Sequence, residues 1–367
     1  MEKYYLAALC GTLGLGASKA LSFVQYFGSA EQAFGATEND LIRTQIASPN
    51  ACHKFIQHRE TELPLKIKAF CLQEQVSLLS IEDDNYPERL KQIQNPPTIL
   101  YIKGNLPLEN KTIGIVGSRK ASAYGLKVAE TFAQDLALAG LIVVSGGALG
   151  IDTAAHKGAL TACKPTVAVM GCGLDLTYPA VNQKLFAAIS TKGALVSEFP
   201  PGTRPLAQNF PARNRIINGL TQGIMVVEAA KKSGAMITAK FALEEGHDVY
   251  CVPGNIFATT SIGPHSLIKD GAKLVDRPED ILEDFLLYPA VQVKQKIENM
   301  DLFAQMSPTE ATQSQAILAE LPFQVGITLE EIVLKTALSL AIVSSIIINL
   351  QIEGIISEEP GQRYIRL

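Results

Sequence analysis

No two cysteines in this chain form a C-x-x-C pair. Cys10, Cys52, Cys71, Cys163, Cys172 and Cys251 are scattered, and they share no zinc-ligand spacing with the five histidines. This speaks against the common zinc modules and gives no disulfide framework, so reduced, mostly buried thiols of a cytosolic protein are expected. No run of about 18 residues is uninterruptedly apolar, so no membrane-spanning helix or membrane partner is expected. The start, Met1-Glu2-Lys3-Tyr4-Tyr5-Leu6-Ala7, lacks the charged-then-apolar order of a signal peptide. A G-x-x-x-x-G-K-[ST] loop is missing, which disfavours a P-loop ATPase. Charge is sparse at 19% against 47% apolar residues, so 367 residues can bury large cores in two or three domains and are not globally disordered.

The formal net charge of −4 argues against a simple nucleic-acid binder, yet it is unevenly spread. Residues 111–278 carry 17 basic and 11 acidic groups, a balance of +6. Residues 1–110 stand at −2 and residues 279–367 at −8. A basic middle between acidic flanks points to an anionic ligand for the middle, with chance scatter as the bland alternative.

Hydrophobic spacing organises the chain. Over residues 1–70 apolar positions recur at helical intervals (Leu6, Leu9, Leu13, then Leu21, Val24, Phe27), with Gly11-Thr12-Leu13-Gly14-Leu15-Gly16 as a turn between helices. Such a turn either offers N–H groups to a phosphate or merely shapes a docking module; the lack of basic excess favours the second. Residues 1–72 are expected as a helical domain. Short strands are expected at 76–81 and 98–102. From 111 to 278, apolar β-rich runs (112–116, 141–144, 166–170, 194–196, 223–227, 248–252) alternate with helical ones such as 125–139 and 234–245. Near-continuous apolar strands imply burial on both faces, hence an α/β, mostly parallel, doubly wound sheet over residues 73–285. The polar stretch 286–315 reads as a linker. Residues 316–367 read as three helices, the last two at 329–338 and 341–352, and then strands 355–358 and 363–366 around Pro360-Gly361. That is the order of a winged helix.

Ligands of such sheets sit at the carboxyl ends of the strands. There the sequence places Gly117-Ser118-Arg119, then Ser145-Gly146-Gly147-Ala148-Leu149-Gly150-Ile151-Asp152, Gly171-Cys172-Gly173, and Glu228 with Ser233-Gly234 soon after. Glycines allow close approach, helix N-termini supply oriented N–H groups, and Arg119 supplies a fork that matches phosphate. A dinucleotide is disfavoured, because Gly114-Ile115-Val116-Gly117-Ser118-Arg119 misses the G-x-G-x-x-G spacing and the second strand ends without a carboxylate. A second cluster, Phe210-Pro211-Ala212-Arg213-Asn214-Arg215, puts two arginines around an Asn, with Arg204 six residues before Phe210. Ser233 to Lys240 opens a helix with small and hydroxyl residues, including Thr238, and ends on a Lys. Arginine forks, helix N-termini and an aromatic are what a single-stranded backbone and a stacked base require. The competing structural role pairs Arg213 and Arg215 with Glu228 or Glu198 inside the fold. His156 follows Asp152 by four on one helix face, but nothing resembles a nucleophile elbow, so a structural role is favoured for it.

Taken in order, GIVGSR (114–119), SGGALGIDTAAH (145–156), GCGLDLTYP (171–179), SEFP (197–200), FPARNRIIN (210–218), Val227-Glu228, SGAMITA (233–239) and Val252-Pro253-Gly254 resemble the DNA-processing protein A family, DprA or Smf, over residues 80–275. The resemblance implies an extended Rossmann-like core that binds single-stranded DNA without sequence preference. It also implies a sterile-alpha-motif-like helical domain before the core and a winged helix after it. A homodimer through the core is implied, with protection of incoming single strands in natural transformation and loading of the RecA recombinase, and with no enzymatic activity and no cofactor or metal. The DNA-binding residues it implies are Gly117, Ser118, Arg119, Gly146, Gly147, Arg213, Asn214, Arg215, Ser233, Gly234 and Thr238; proximity adds Arg204, Phe210 and Lys240. His247 stands where many relatives have Arg, a change expected to weaken a basic contact or make it pH-sensitive. Two other classes stay open. One is a nucleotide hydrolase of the phosphoribohydrolase kind, whose Pro-Gly-Gly…Gly-Thr…Glu run is replaced here by Ser145-Gly146-Gly147-Ala148-Leu149-Gly150. The other is a protein-interaction scaffold. The expected recognition helix, 341–350, has no Lys or Arg in a segment at −8, so the tail is expected to dock on protein or to be a passive accessory.

Overall fold

The computed structural model describes residues 1–12, 15–107, 110–285, 308–321, 327–352, 355–359 and 363–366. Helices come first: α1 (Glu2–Gly11), α2 (Ala17–Phe27), α3 (Ala30–Gly35), α4 (Glu38–Arg43), α5 (Pro49–His58) and α6 (Leu63–Gln73). Capping chemistry starts three of them, since Ser29, Thr37 and Ser48 each accept an N–H from three residues on. Their apolar faces meet around the buried Phe23 and Phe55, and the same cluster takes in Val76, Ile99 and Tyr101 of the sheet. The helices of residues 1–72 therefore share a core with the strands that follow. Gly11 lies at that junction, where a Cβ would sit 2.8 Å from Pro200. Gly11 thus packs on the protein itself; Leu13 and Gly14 of the turn it opens lie outside the described residues.

A nine-stranded sheet follows, built from β1 (Val76–Ser80), β2 (Ile99–Gly104), β3 (Thr112–Val116), β4 (Ile142–Ser145), β5 (Thr166–Val169), β6 (Ala194–Ser197), β7 (Gly223–Val226), β8 (Asp248–Cys251) and β9 (Lys273–Leu274). Its order is β1-β2-β6-β5-β4-β3-β7-β8-β9, antiparallel at the β1–β2 and β2–β6 pairs and parallel from β6 to β9. The connecting helices are α7 (Glu88–Gln92), α8 (Ala123–Leu138), α9 (Ile151–Thr161), α10 (Gln183–Lys192), α11 (Asn209–Gly219), α12 (Gly234–Glu244), α13 (Ile262–Lys269) and α14 (Glu279–Asp284). Ile113, Ile115, Val143 and Met225 face α8 and α9, while Val144, Val167 and Ile224 face α11 and α12. That two-sided burial is why these strands read as continuous apolar runs; each such side chain contributes about 1.5–3 kcal/mol. The architecture is α/β, mostly parallel and doubly wound, as expected. The chain steps outward from β3 to β6 and then returns to β7 on the other side of β3. This reversal opens a crevice at the carboxyl ends of β3 and β7.

The chain divides into two compact units, Met1–Pro289 and Ala290–Leu367. In the second, α15 (Pro308–Glu320) is followed by β10 (Ile327–Thr328), α16 (Leu329–Thr336), α17 (Leu340–Ile352), β11 (Ile356–Glu359) and β12 (Arg363–Arg366). The strands form an antiparallel sheet in the order β10-β12-β11. A capping box between Thr328 and Glu331 starts α16. The stretch 286–315, expected as a linker, lies outside the described residues up to 307; from Pro308 it is helical, because Pro suits a first turn. The Pro360-Gly361 turn also lies outside them. Among the described residues no single helix is long and apolar enough to cross a membrane.

Candidate nucleic-acid interface

A cleft of about 1030 Å³ opens where the sheet reverses. One wall is Gly117-Ser118-Arg119-Lys120, which follows β3; another is the loop Ala230-Lys231-Lys232 with the start of α12; the first turn of α11 supplies Phe210. Local rules explain the shape. Ser233 is extended and its Oγ accepts the Met236 N–H at 3.4 Å, so α12 starts there with its positive end beside Lys231 and Lys232. Gly150 has φ +80° and a Cβ on it would lie 2.2 Å from the Ser118 carbonyl, so glycine alone lets α9 begin against the β3 loop.

Arg119 is exposed and its guanidinium lies 4.8 Å from the Phe210 ring centroid. Phe210 packs against Gly171 and meets Tyr178 at 5.6 Å between centroids. A guanidinium over the Phe210 ring, beside Tyr178, gives a cationic aromatic surface of the kind on which a base stacks. Arg119, Lys120, Lys231, Lys232 and Lys240 are exposed in the cleft, and the one carboxylate among its described lining residues is the buried Asp152. The +6 balance of residues 111–278 thus includes a local basic surface at the strand ends.

Of the expected site residues, the cleft brings together Gly117, Ser118, Arg119, Phe210, Arg213, Asn214, Ser233, Gly234, Thr238 and Lys240. Three of these are turned inward. Arg213 is 3% exposed, and its Nη1 donates to the Gly146 carbonyl at 2.6 Å and to the Val169 carbonyl. Asn214 and Thr238 are buried; the Asn214 amide donates to the Gly234 carbonyl at 3.3 Å. Four others do not line the cleft. Arg215 forms a bidentate pair with Glu198 at 2.8 and 2.6 Å, as the structural alternative required. Arg204 is exposed just outside, next to the lining residue Pro205. Gly146 and Gly147 are buried, and a Cβ on them would meet Arg213 at 2.5 Å and Phe186 at 2.7 Å, so they make room for side chains rather than for a ligand. Glu228 pairs with neither arginine; it accepts from the Ser122 N–H and Oγ at the start of α8. His247 precedes β8, at the amino ends of the parallel strands and so at the opposite end of the sheet from the cleft, and is half-buried near Arg89. His156 is fully buried; its Nδ1–H donates to Thr166 Oγ1, whose hydroxyl donates to the Val143 carbonyl, and burial with the nearby Arg213 pushes its pKa down to about 3. Among the described residues no His, Cys, Asp and Glu cluster could hold a metal.

Lys120, Lys231, Lys232 and Tyr178 escaped sequence reasoning. The signal was present: two lysines stand directly before a Ser that caps a helix after a buried strand, a phosphate-binding pattern.

A family model described as DNA recombination-mediator protein A matches residues 77–286. The chain is 32% identical to protein Smf of Synechocystis over 100% of its own length and 99% of that protein. It is 47% identical to DNA processing protein DprA of Streptococcus pneumoniae over 74% of this chain and 94% of that one. The X-ray structure of the pneumococcal protein superposes with a TM-score of 0.67 and 37% identity, over 77% of this chain and 98% of the other. A structure concerned with the single-stranded DNA binding mode of DNA processing protein A from Helicobacter pylori superposes with a TM-score of 0.53 at 30% identity, covering 58% and 96%.

Proposed function

The chain belongs to the DNA recombination-mediator protein A family, and from that membership we propose that it binds single-stranded DNA, without sequence preference, in the cleft between β3 and β7. The observation that carries the reading is the cluster of five exposed cations around Phe210 and Tyr178 at the sheet reversal. Arg119 and the lysines meet phosphates, the α12 start adds N–H donors, and the Arg119–Phe210 platform takes a base. Binding rather than hydrolysis is favoured because Asp152, the only carboxylate on the described lining, is buried beside Arg213. The family resemblance extends the reading to protection of incoming strands in natural transformation and to loading of RecA. It also suggests a homodimer through the core. Ile256, Phe257 (89% exposed) and Ile262 give such a dimer an apolar seam on the loop after β8 and the start of α13. The second unit is read as a winged helix that does not grip DNA.

Fluorescence-anisotropy titrations with single- and double-stranded oligonucleotides over a salt series test the central reading. Salt-sensitive binding of single strands, weakened alike for all sequences by Arg119→Ala, is expected; an affinity for Arg119→Ala within about twofold of the parent defeats the assigned cleft. Incubation with nucleoside monophosphates and chromatography for free base separates the phosphoribohydrolase alternative.

A further inference from the structure

We propose that Arg213 is a positioning residue of the cleft, a buried brace that fixes Phe210 and the start of α12 without meeting a phosphate. The inference rests on the single-strand reading above and takes Arg213 out of its phosphate contacts. Three of the five Arg213 N–H donors are already used, and the residue is 3% exposed. Nη1 serves the Gly146 carbonyl, just beyond β4, and the Val169 carbonyl at the end of β5; Nε serves Asn214 Oδ1 at 3.2 Å. These carbonyls lie where the strand ladder stops, so the guanidinium ties two strand ends to α11. Gly146 makes the seat, because any Cβ there would lie 2.5 and 2.6 Å from the two terminal nitrogens of Arg213. Asp152, also buried, supplies the nearby opposite charge; burial pushes the Arg213 pKa down to about 10, which leaves it cationic at neutral pH.

From this seat the constraint passes to both helical walls. Asn214 accepts from Arg213 and donates to the carbonyl of Gly234, the first residue of α12. One turn later Asn218 donates to the Thr238 carbonyl at 3.1 Å. Asn214 and Asn218 are one turn apart on α11, as Gly234 and Thr238 are on α12, so two amide rungs lock the helices in register. Phe210, three residues before Arg213, lies on the same face of α11 and carries Arg119 over its ring. Movement of the guanidinium therefore shifts the platform and the α12 start together.

The test uses the full chain and two variants. Arg213→Gln removes the charge and the Nη1 donors that reach both carbonyls, and Gly146→Ala displaces the guanidinium without altering charge. Each is titrated with an oligothymidylate bearing one 2-aminopurine, over a salt series, at temperatures where circular dichroism shows it folded. We expect affinity to fall roughly 10-fold with the salt slope of the parent retained, the 2-aminopurine quench at saturation reduced, and the double variant no worse than the weaker single one. A slope reduced by about 0.7 in Arg213→Gln would make Arg213 a direct phosphate contact and overturn the proposal. Lowered melting temperature with parental affinity and quench would reduce it to a core residue and overturn it equally. If Arg213→Gln does not fold, Gly146→Ala alone decides by the same readouts. A parent protein with no salt-dependent single-strand binding removes the single-strand reading itself, an outcome seen before either variant is compared.

Discussion

Lys231 and Lys232 give the most quantitative check on where the strand lies. Five exposed cations face the cleft, Arg119, Lys120, Lys231, Lys232 and Lys240. If each neutralises one phosphate of a single strand, log affinity falls with log salt at a slope of about −0.7 per contact, hence roughly −3.5. Raising salt from about 50 to about 200 mM then weakens binding roughly 100-fold. Removing both lysines leaves three contacts and a slope near −2, so the same change of salt costs only roughly 20-fold. The assay is anisotropy of a labelled oligothymidylate at four or five salt concentrations, for the parent, for Lys231→Ala with Lys232→Ala, and for Lys192→Ala. Lys192 is exposed in the last turn of α10, away from the cleft, and its removal should leave the slope unchanged. A double variant with the parental slope, or a Lys192 variant with a reduced one, refutes the placement of the DNA. Weaker binding at every salt with an unaltered slope points to damaged packing instead.

Glu198→Gln removes the charge that holds Arg215, in a pair whose side chains are 19% and 16% exposed. A stability loss of about 1–2 kcal/mol is expected, between the values for exposed and buried pairs, with single-strand affinity unchanged; chemical denaturation and anisotropy read the two. His156 ties stability to acid. Its ring stays neutral in the fold, with a pKa pushed down to about 3, so the unfolded chain takes up a proton first as pH drops below its ordinary 6.5. The stabilisation is present above about 6.5 and is lost toward about 3, at up to about 1.4 kcal/mol per pH unit. The difference between parent and His156→Gln denaturation curves across that range isolates the effect, because the opposite contribution of Asp152, raised by burial, is common to both. Deleting residues 305–367 should leave single-strand affinity unchanged or raise it, since that stretch, with 3 basic against 7 acidic groups, repels phosphate; a large loss in the same titration refutes the accessory reading of the tail.

The sheet was legible because burial on both faces writes itself into composition. Six runs of Val, Ile, Ala and Gly between amphipathic stretches admit little but parallel strands with crossover helices, and the observed ends differ by no more than one residue. Two features were not legible for equally physical reasons. β10 is two residues long, too short to carry an alternating pattern. The start of α15 at Pro308 lies in a polar stretch whose helicity leaves no strong apolar stripe. Within the site, residue types were legible and directions were not. Nothing in the local sequence separates a guanidinium that caps strand-end carbonyls from one that waits for phosphate.

One direction was nevertheless decidable. Arg213 and Arg215 are two positions apart on a helix, about 200° around its axis, so they cannot both face one cleft. The structure divides them accordingly: Arg213 caps the carboxyl ends of β4 and β5, and Arg215 turns to Glu198 and the Asn95 carbonyl. The glycine run then has a different meaning from the one its composition suggests. Gly146 and Gly147 make room for Arg213 and Phe186, and Gly117 for Ile151, whereas Gly234 leaves open space on the cleft wall, where a Cβ would meet nothing nearer than Asn214 at 4.0 Å. Charge counting led to the core because its surplus is real, but the residues in the most arginine-rich motif are largely spent on structure. Of the cations left exposed in the cleft, Arg119, Lys120, Lys231 and Lys232 come from loops that end at helix starts, where backbone N–H groups already favour an anion, and Lys240 comes from α12 itself. Basic residues in such a fold are best sorted first by helix phase and by the glycine opposite them, and only then by charge.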